Sequence, residues 1–110
     1  MAMTDLFNAA DIKKAVEAFS AQDSFNHQKF FEMVGMKRKT PEERKKIFGL
    51  LDKSERGYVD EEELPSLLRN FSPGGRSLTA AETKAMMAAG DKDGDGKIGI
   101  DDFLTMMAEL

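Results

Sequence analysis

The chain has 110 residues, 41% of them apolar, a formal charge of −4 and no cysteine, which suits one compact domain with a modest core and excludes disulfides and thiolate metal sites. The acidic balance argues against nucleic acid as a partner, because Lys37, Arg38 and Lys39, then Arg44 to Lys46, are interrupted by Thr40, Pro41, Glu42 and Glu43 and read as a solvated loop and helix face. No stretch has the apolar length needed to span a membrane.

Met1 to Ala10 carries Asp5 and lacks the basic-then-apolar layout of a secretory signal, so a cytoplasmic protein is expected. Asn8 or Asp5 can cap a first helix through Ile12, Val16 and Phe19, whose spacing gives one apolar face. Ser20 to Lys29 breaks that period. A second short helix carries Phe30, Phe31, Met33 and Val34, with Gly35 as its stop and Lys37 to Lys39 as a linker. Thr40-Pro41-Glu42-Glu43 starts the next helix, with Thr40 as cap, Pro41 in the first turn and Glu43 completing a capping box. Ile47, Phe48, Leu50 and Leu51 are its core residues. Asp52 to Glu63 is a loop, and a helix with Leu64, Leu67, Leu68 and Phe71 follows; Pro65 is tolerable there because first-turn amides lack intrahelical acceptors. Ser72-Pro73-Gly74-Gly75 is a linker. Thr79 and Glu82 form a second capping box, for a helix bearing Met86 and Met87, and the last helix carries Phe103, Leu104, Met106 and Met107.

The most informative stretch lies between those two helices. Asp91 to Asp102 reads Asp-Lys-Asp-Gly-Asp-Gly-Lys-Ile-Gly-Ile-Asp-Asp. Carboxylates at positions 1, 3, 5 and 12 can curl around a hard divalent cation, while Gly96 permits the sharp bend at position 6 and Ile98 points towards the core. This is the pattern of an EF-hand calcium loop, with Asp91, Asp93, Asp95, Lys97 by its carbonyl and Asp102 as ligands and position 9 (Gly99) served through water. Position 12 is normally Glu. Asp102 is one methylene shorter, which favours a single oxygen at that corner and a coordination number near six, so weakened calcium affinity and a weakened preference for calcium over magnesium are expected.

A shift of 39 residues lays Asp52 on Asp91, Gly57 on Gly96, Val59 on Ile98 and Leu64 on Phe103. Two helix-loop-helix units paired through a short β contact between Val59 and Ile98 follow from the motif. The first segment fits a third copy whose loop is two residues short, with Lys29 where the closing carboxylate belongs. No metal is expected there, and its apolar faces should cover the core of the other two. In the middle loop, Asp52, Tyr58 (by its carbonyl), Asp60 and Glu63 suit positions 1, 7, 9 and 12. Ser54 at position 3 is a neutral oxygen, and Arg56 at position 5 cannot ligate a cation. Arg56 must either swing outward or pair with Asp52, Asp60 or Glu63, and the middle loop should bind orders of magnitude more weakly, roughly 10⁻⁴ to 10⁻³ M.

These features, with Ala2-Met3-Thr4-Asp5, Asp11-Ile12-Lys13-Lys14-Ala15, Lys29-Phe30-Phe31, Met33-Val34-Gly35 and Glu82-Thr83-Lys84, resemble the parvalbumins of the alpha lineage from end to end. The resemblance implies an all-α, six-helix EF-hand domain over 1–110, with a degenerate first unit (1–38), a middle hand (39–72) and a last hand (76–110). It also implies a cytosolic calcium and magnesium buffer of muscle, monomeric and without an obligatory protein partner. The family would place Asp91, Asp93, Asp95, Lys97 and Asp102 on the last ion and Asp52, Ser54, Tyr58, Asp60 and Glu63 on the middle one, and would pair Arg76 with Glu82. Ser54, Arg56 and Asp102 depart from its usual ligands, and Asp60 is shorter than the usual Glu.

Two alternatives stand beside the buffer. Eight methionines suit a calcium sensor that opens a groove for a partner helix, although Met86, Met87, Met106 and Met107 are equally suited to pack the core. The altered loops also suit a scaffold with impaired metal binding. An enzyme is not expected: His27 is the single histidine, and nothing beside it in sequence suggests a nucleophile.

Overall fold

A computed structural model describes residues 3–52, 55–72, 74–91 and 94–110, with the backbone alone at Met3 and Thr4. Among these residues a four-residue turn, α1 (Met3–Leu6), precedes six helices arranged as three helix-loop-helix pairs: α2 (Ala9–Ala18) with α3 (His27–Val34), α4 (Pro41–Leu51) with α5 (Leu67–Phe71), and α6 (Ala80–Gly90) with α7 (Ile100–Ala108). The fold is all-α apart from β1 (Tyr58–Asp60) and β2 (Lys97–Gly99), which pair antiparallel with Val59 opposite Ile98.

Local chemistry sets the helix boundaries. Asn8, rather than Asp5, caps α2, its side-chain oxygen accepting from the N–H groups of Ala10 (2.8 Å) and Asp11 (3.4 Å). Thr40 with Glu43, and Thr79 with Glu82, form reciprocal capping boxes. Gly35 ends α3 at φ +94°, a left-handed conformation that suits glycine. The expected linker after it is in fact one turn of 3₁₀ helix, Met36–Arg38, held by Arg38 N–H to Gly35 O (3.1 Å) and Lys39 N–H to Met36 O (3.0 Å). That turn buries Met36 completely. Pro65 likewise sits in a 3₁₀ turn, Leu64–Ser66, ahead of α5.

One core joins the three pairs, and phenylalanines form its centre. Phe30 meets Phe71 at 4.9 Å between ring centroids, Phe31 meets Phe103 at 6.0 Å, and Phe48 meets Phe103 at 5.4 Å, all edge-on or tilted. The first pair therefore lies over the apolar faces of the other two. Two residues differ from expectation. Met33 is 41% exposed because Phe30, Phe31 and Val34 take the inner face of the short α3, whereas Phe7 joins the core at 5% exposure. Phe7 precedes the cap Asn8 and Ile12 follows it by four, the spacing of a hydrophobic staple, which was the available signal.

Candidate metal loops

The last loop begins where α6 ends. Asp91 caps that helix, its N–H donating to Met87 O at 2.7 Å, and its carboxylate turns into the loop. Oδ1 accepts from Asp95 N–H at 3.2 Å and Oδ2 from Gly96 N–H at 2.7 Å. Asp95 Oδ1 accepts from Lys97 N–H at 3.0 Å. The bend is made by Gly94 at φ +70° and Gly96 at φ +77°. Asp102, third residue of α7, reaches back so that Oδ2 accepts from Gly99 N–H at 3.2 Å. Desolvation acts to raise the Asp91 carboxyl, but the Gly96 N–H and contacts from Asp95 and Gly94 outweigh it and leave it below the usual carboxylate range. Ile98 is buried behind the loop, and Gly90 leaves no room there: a Cβ on it would lie 2.5 Å from Met106 Sδ and 2.9 Å from Ile98 Cδ1. Asp93 lies outside the described residues. The donors of this loop are hard, anionic oxygens on a curled backbone, which fits a divalent cation such as calcium.

The middle loop repeats the backbone design with different side chains. Asp52, buried at the end of α4, accepts from Arg56 N–H at 3.3 Å and from Gly57 N–H at 2.7 Å, matching Asp91. Ser54 lies outside the described residues. Arg56 does not swing outward. Its Nη2 donates to Asp60 Oδ2 at 3.0 Å and to Glu63, and its guanidinium lies 4.5 Å from the centre of the Tyr58 ring. Asp60 Oδ1 accepts from the N–H groups of Glu62 and Glu63, both at 3.0 Å. Desolvation acts to raise the Asp60 carboxyl, but the Glu63 N–H and the Arg56 guanidinium prevail and lower it. Among the described residues no three acidic or imidazole groups converge as an ion cage, since the loop carboxylates are engaged with N–H groups and Arg56. The donor set here fits a divalent cation poorly, because a guanidinium already faces two of its carboxylates.

Position 4 differs in a measurable way. Gly94 holds a positive φ in the last loop, while the middle loop forces Glu55 to φ +53°. An L side chain in that region costs about 1–2 kcal/mol, partly offset in a glycine variant by the greater freedom of its unfolded chain. Glu55→Gly should therefore raise metal-free stability by about 0.5–1 kcal/mol in urea denaturation. A lower midpoint would show that the Glu55 conformation is not strained.

The first loop holds no comparable set. Lys29 occupies the closing position and is exposed. His27 is partly buried at the start of α3, and desolvation lowers its pKa against the opposing pull of Glu109. The loop is instead tied to the linker before α6. Arg76 forms a two-pronged ion pair with Glu82, Nη1 to Oε1 at 2.8 Å and Nη2 to Oε2 at 2.6 Å. It also donates to the carbonyls of Phe19 and Ala21, both at 2.8 Å. Glu82 Oε2 accepts from Phe25 N–H at 2.7 Å, and Thr79 Oγ1 donates to Asp23 Oδ1 at 2.6 Å. This clamp bridges segments 57 residues apart, a reach that no local pattern reveals.

A family model described as an EF-hand domain pair matches residues 41–108. The chain is 63% identical over 108 residues to "Parvalbumin, muscle" of Gallus gallus, covering 98% of this chain and 99% of that protein. It is 62% identical over 109 residues to "Parvalbumin alpha" of Homo sapiens, covering 99% of each. The chain belongs to the parvalbumin family. "Parvalbumin alpha" of Aquarana catesbeiana matches at 57% over 109 residues, again 99% of each chain. A parvalbumin with an EF-hand pair is a calcium-binding protein, and both loops just described fall inside the matched pair.

Proposed function

We propose that this parvalbumin acts as a cytoplasmic, monomeric calcium and magnesium buffer running mainly on its last loop. Asp91, Asp93, Asp95 and Asp102 would hold the ion with carboxylate oxygens and Lys97 with its carbonyl, with a water below Gly99. The middle loop, through Asp52, Ser54, Tyr58, Asp60 and Glu63, is the weaker site, and the first unit (1–38) takes no metal. A bound divalent cation would neutralise the clustered charge of the loop. The observation that carries buffer over sensor is the coverage of the apolar faces. Met86, Met87, Met106 and Met107 are each no more than 4% exposed, so a groove for a partner helix would require the packed core to open. Asp102 supports magnesium as a competitor, because a short closing residue favours six-fold coordination.

Calorimetric calcium titration of metal-stripped protein, repeated in millimolar magnesium, tests this directly. One site weakened by magnesium is the expected result. Two tight sites would overturn the ranking of the loops, and no tight site would leave a parvalbumin scaffold with impaired binding. A hydrophobic dye that brightens on calcium addition would favour a sensor.

A further inference from the structure

The middle loop differs from the last one by carrying a cation of its own. Arg56 stands at position 5, where the last loop has Asp95. Its backbone N–H is held by Asp52, which fixes the start of the side chain inside the loop, and its Nη2 then spans Asp60 at position 9 and Glu63 at position 12. The face of Tyr58 at position 7 lies against the guanidinium. Lys97 Nζ stands 4.7 Å from the same ring, so a cation from each loop borders Tyr58. Asp60 ends the segment that pairs with the last loop, in the register Asp60 to Lys97, Val59 to Ile98 and Tyr58 to Gly99, and Glu63 lies three residues beyond it.

We propose that Arg56 is a tethered counter-ion that keeps the middle loop closed, and β1 in register against β2, without a metal. This rests on the reading of the last loop as the metal site and goes further: the middle hand becomes a calcium-independent buttress for it. The physical reason is charge. Asp60 and Glu63 both lie within hydrogen-bond reach of one Arg56 nitrogen, and without that cation two like charges at such range repel. One guanidinium nitrogen satisfies both carboxylates at once with directed, charge-assisted hydrogen bonds. Because it is covalently attached, its local concentration is high whatever the cell supplies. A divalent ion entering the loop must displace it, which lowers the apparent affinity by the fraction of loops in which the side chain is away.

The signature is a pair of opposite changes. Arg56→Ala should lower the thermal midpoint of the metal-free protein by about 2 °C or more. It should also tighten calcium binding at the middle loop by about tenfold, read from the Gly57 amide in a nitrogen–proton NMR titration into the millimolar range. Arg56→Lys keeps the charge but not the planar guanidinium that lies against Tyr58, so it should move both quantities in the same directions by less. Gly96 serves as the internal reporter of the last loop. A metal-free midpoint that does not fall, or a Gly57 titration that does not shift to lower calcium, overturns the proposal; a merely supporting side chain would lower the midpoint and weaken the binding together. The two failures are separable, since a Gly96 amide indifferent to calcium would sink the metal-site reading of the last loop, while the metal-free melts would still report on Arg56.

Discussion

Glu82→Gln should cost about 3–5 kcal/mol of stability at neutral pH, the usual consequence of leaving one member of a buried ion pair without its partner. The Glu82 side chain is 3% exposed and that of Arg76 is 19%. The substitution removes the charge while keeping the shape, so Arg76 remains hydrogen-bonded to Phe19 and Ala21 but loses its paired carboxylate. The pH dependence follows from the same contact. The Arg76 guanidinium, assisted by the Thr79 and Phe25 N–H groups and opposed by burial, holds the Glu82 carboxyl at about 2 instead of 4.5. A depressed carboxyl stabilises the fold above its unfolded pKa and loses that contribution as the pH falls through the folded one; a shift of this size corresponds to about 3 kcal/mol. Wild type and variant should therefore differ by a constant amount above about pH 5 and converge as the pH approaches 2. Urea unfolding across that range measures the gap. A gap absent at pH 7, or undiminished at pH 3, would remove the clamp from the account of stability.

Asp102→Glu is expected to raise calcium affinity at the last loop by about tenfold to a hundredfold, equivalent to about 1.5–3 kcal/mol for one added charged contact. Asp102 Oδ2 is already engaged by the Gly99 N–H at the start of α7, which leaves one oxygen of the short side chain for the loop interior. Glu at the same place reaches further and supplies the two-oxygen corner that seven-fold calcium coordination uses, whereas six-coordinate magnesium gains little. Calorimetry with and without magnesium separates the two ions. Equal gains for both, or none for calcium, would show that the length of this side chain does not govern selectivity here.

Much of this architecture is legible in the sequence because its determinants are local. Thr40-Pro41-Glu42-Glu43 and Thr79 with Glu82 set two helix starts, and the EF-hand motif, laid on the 39-residue repeat, puts Val59 opposite Ile98. The burial of Met86, Met87, Met106 and Met107 also follows from their helical spacing. What the sequence leaves open is the direction of long, flexible side chains. Arg56 had two plausible fates, and only the position of Asp60 and Glu63 on the turned chain selects the inward one. Glu82 reads as a helix-start residue, which it is, yet its second role at Phe25 depends on two segments meeting in space. Met33 lies beside the inner face of a helix only eight residues long, where a small rotation decides exposure.

The clamp between Arg76, Glu82 and the Phe19 to Phe25 segment has a consequence in time. Closing a connection of 57 residues carries a larger entropic cost than forming the nearby helix pairs, so those pairs assemble first and the clamp shuts late. A contact made after the transition state leaves the folding rate almost untouched and slows unfolding instead. The first helix pair, through this clamp, thereby sets how long each folded molecule lasts.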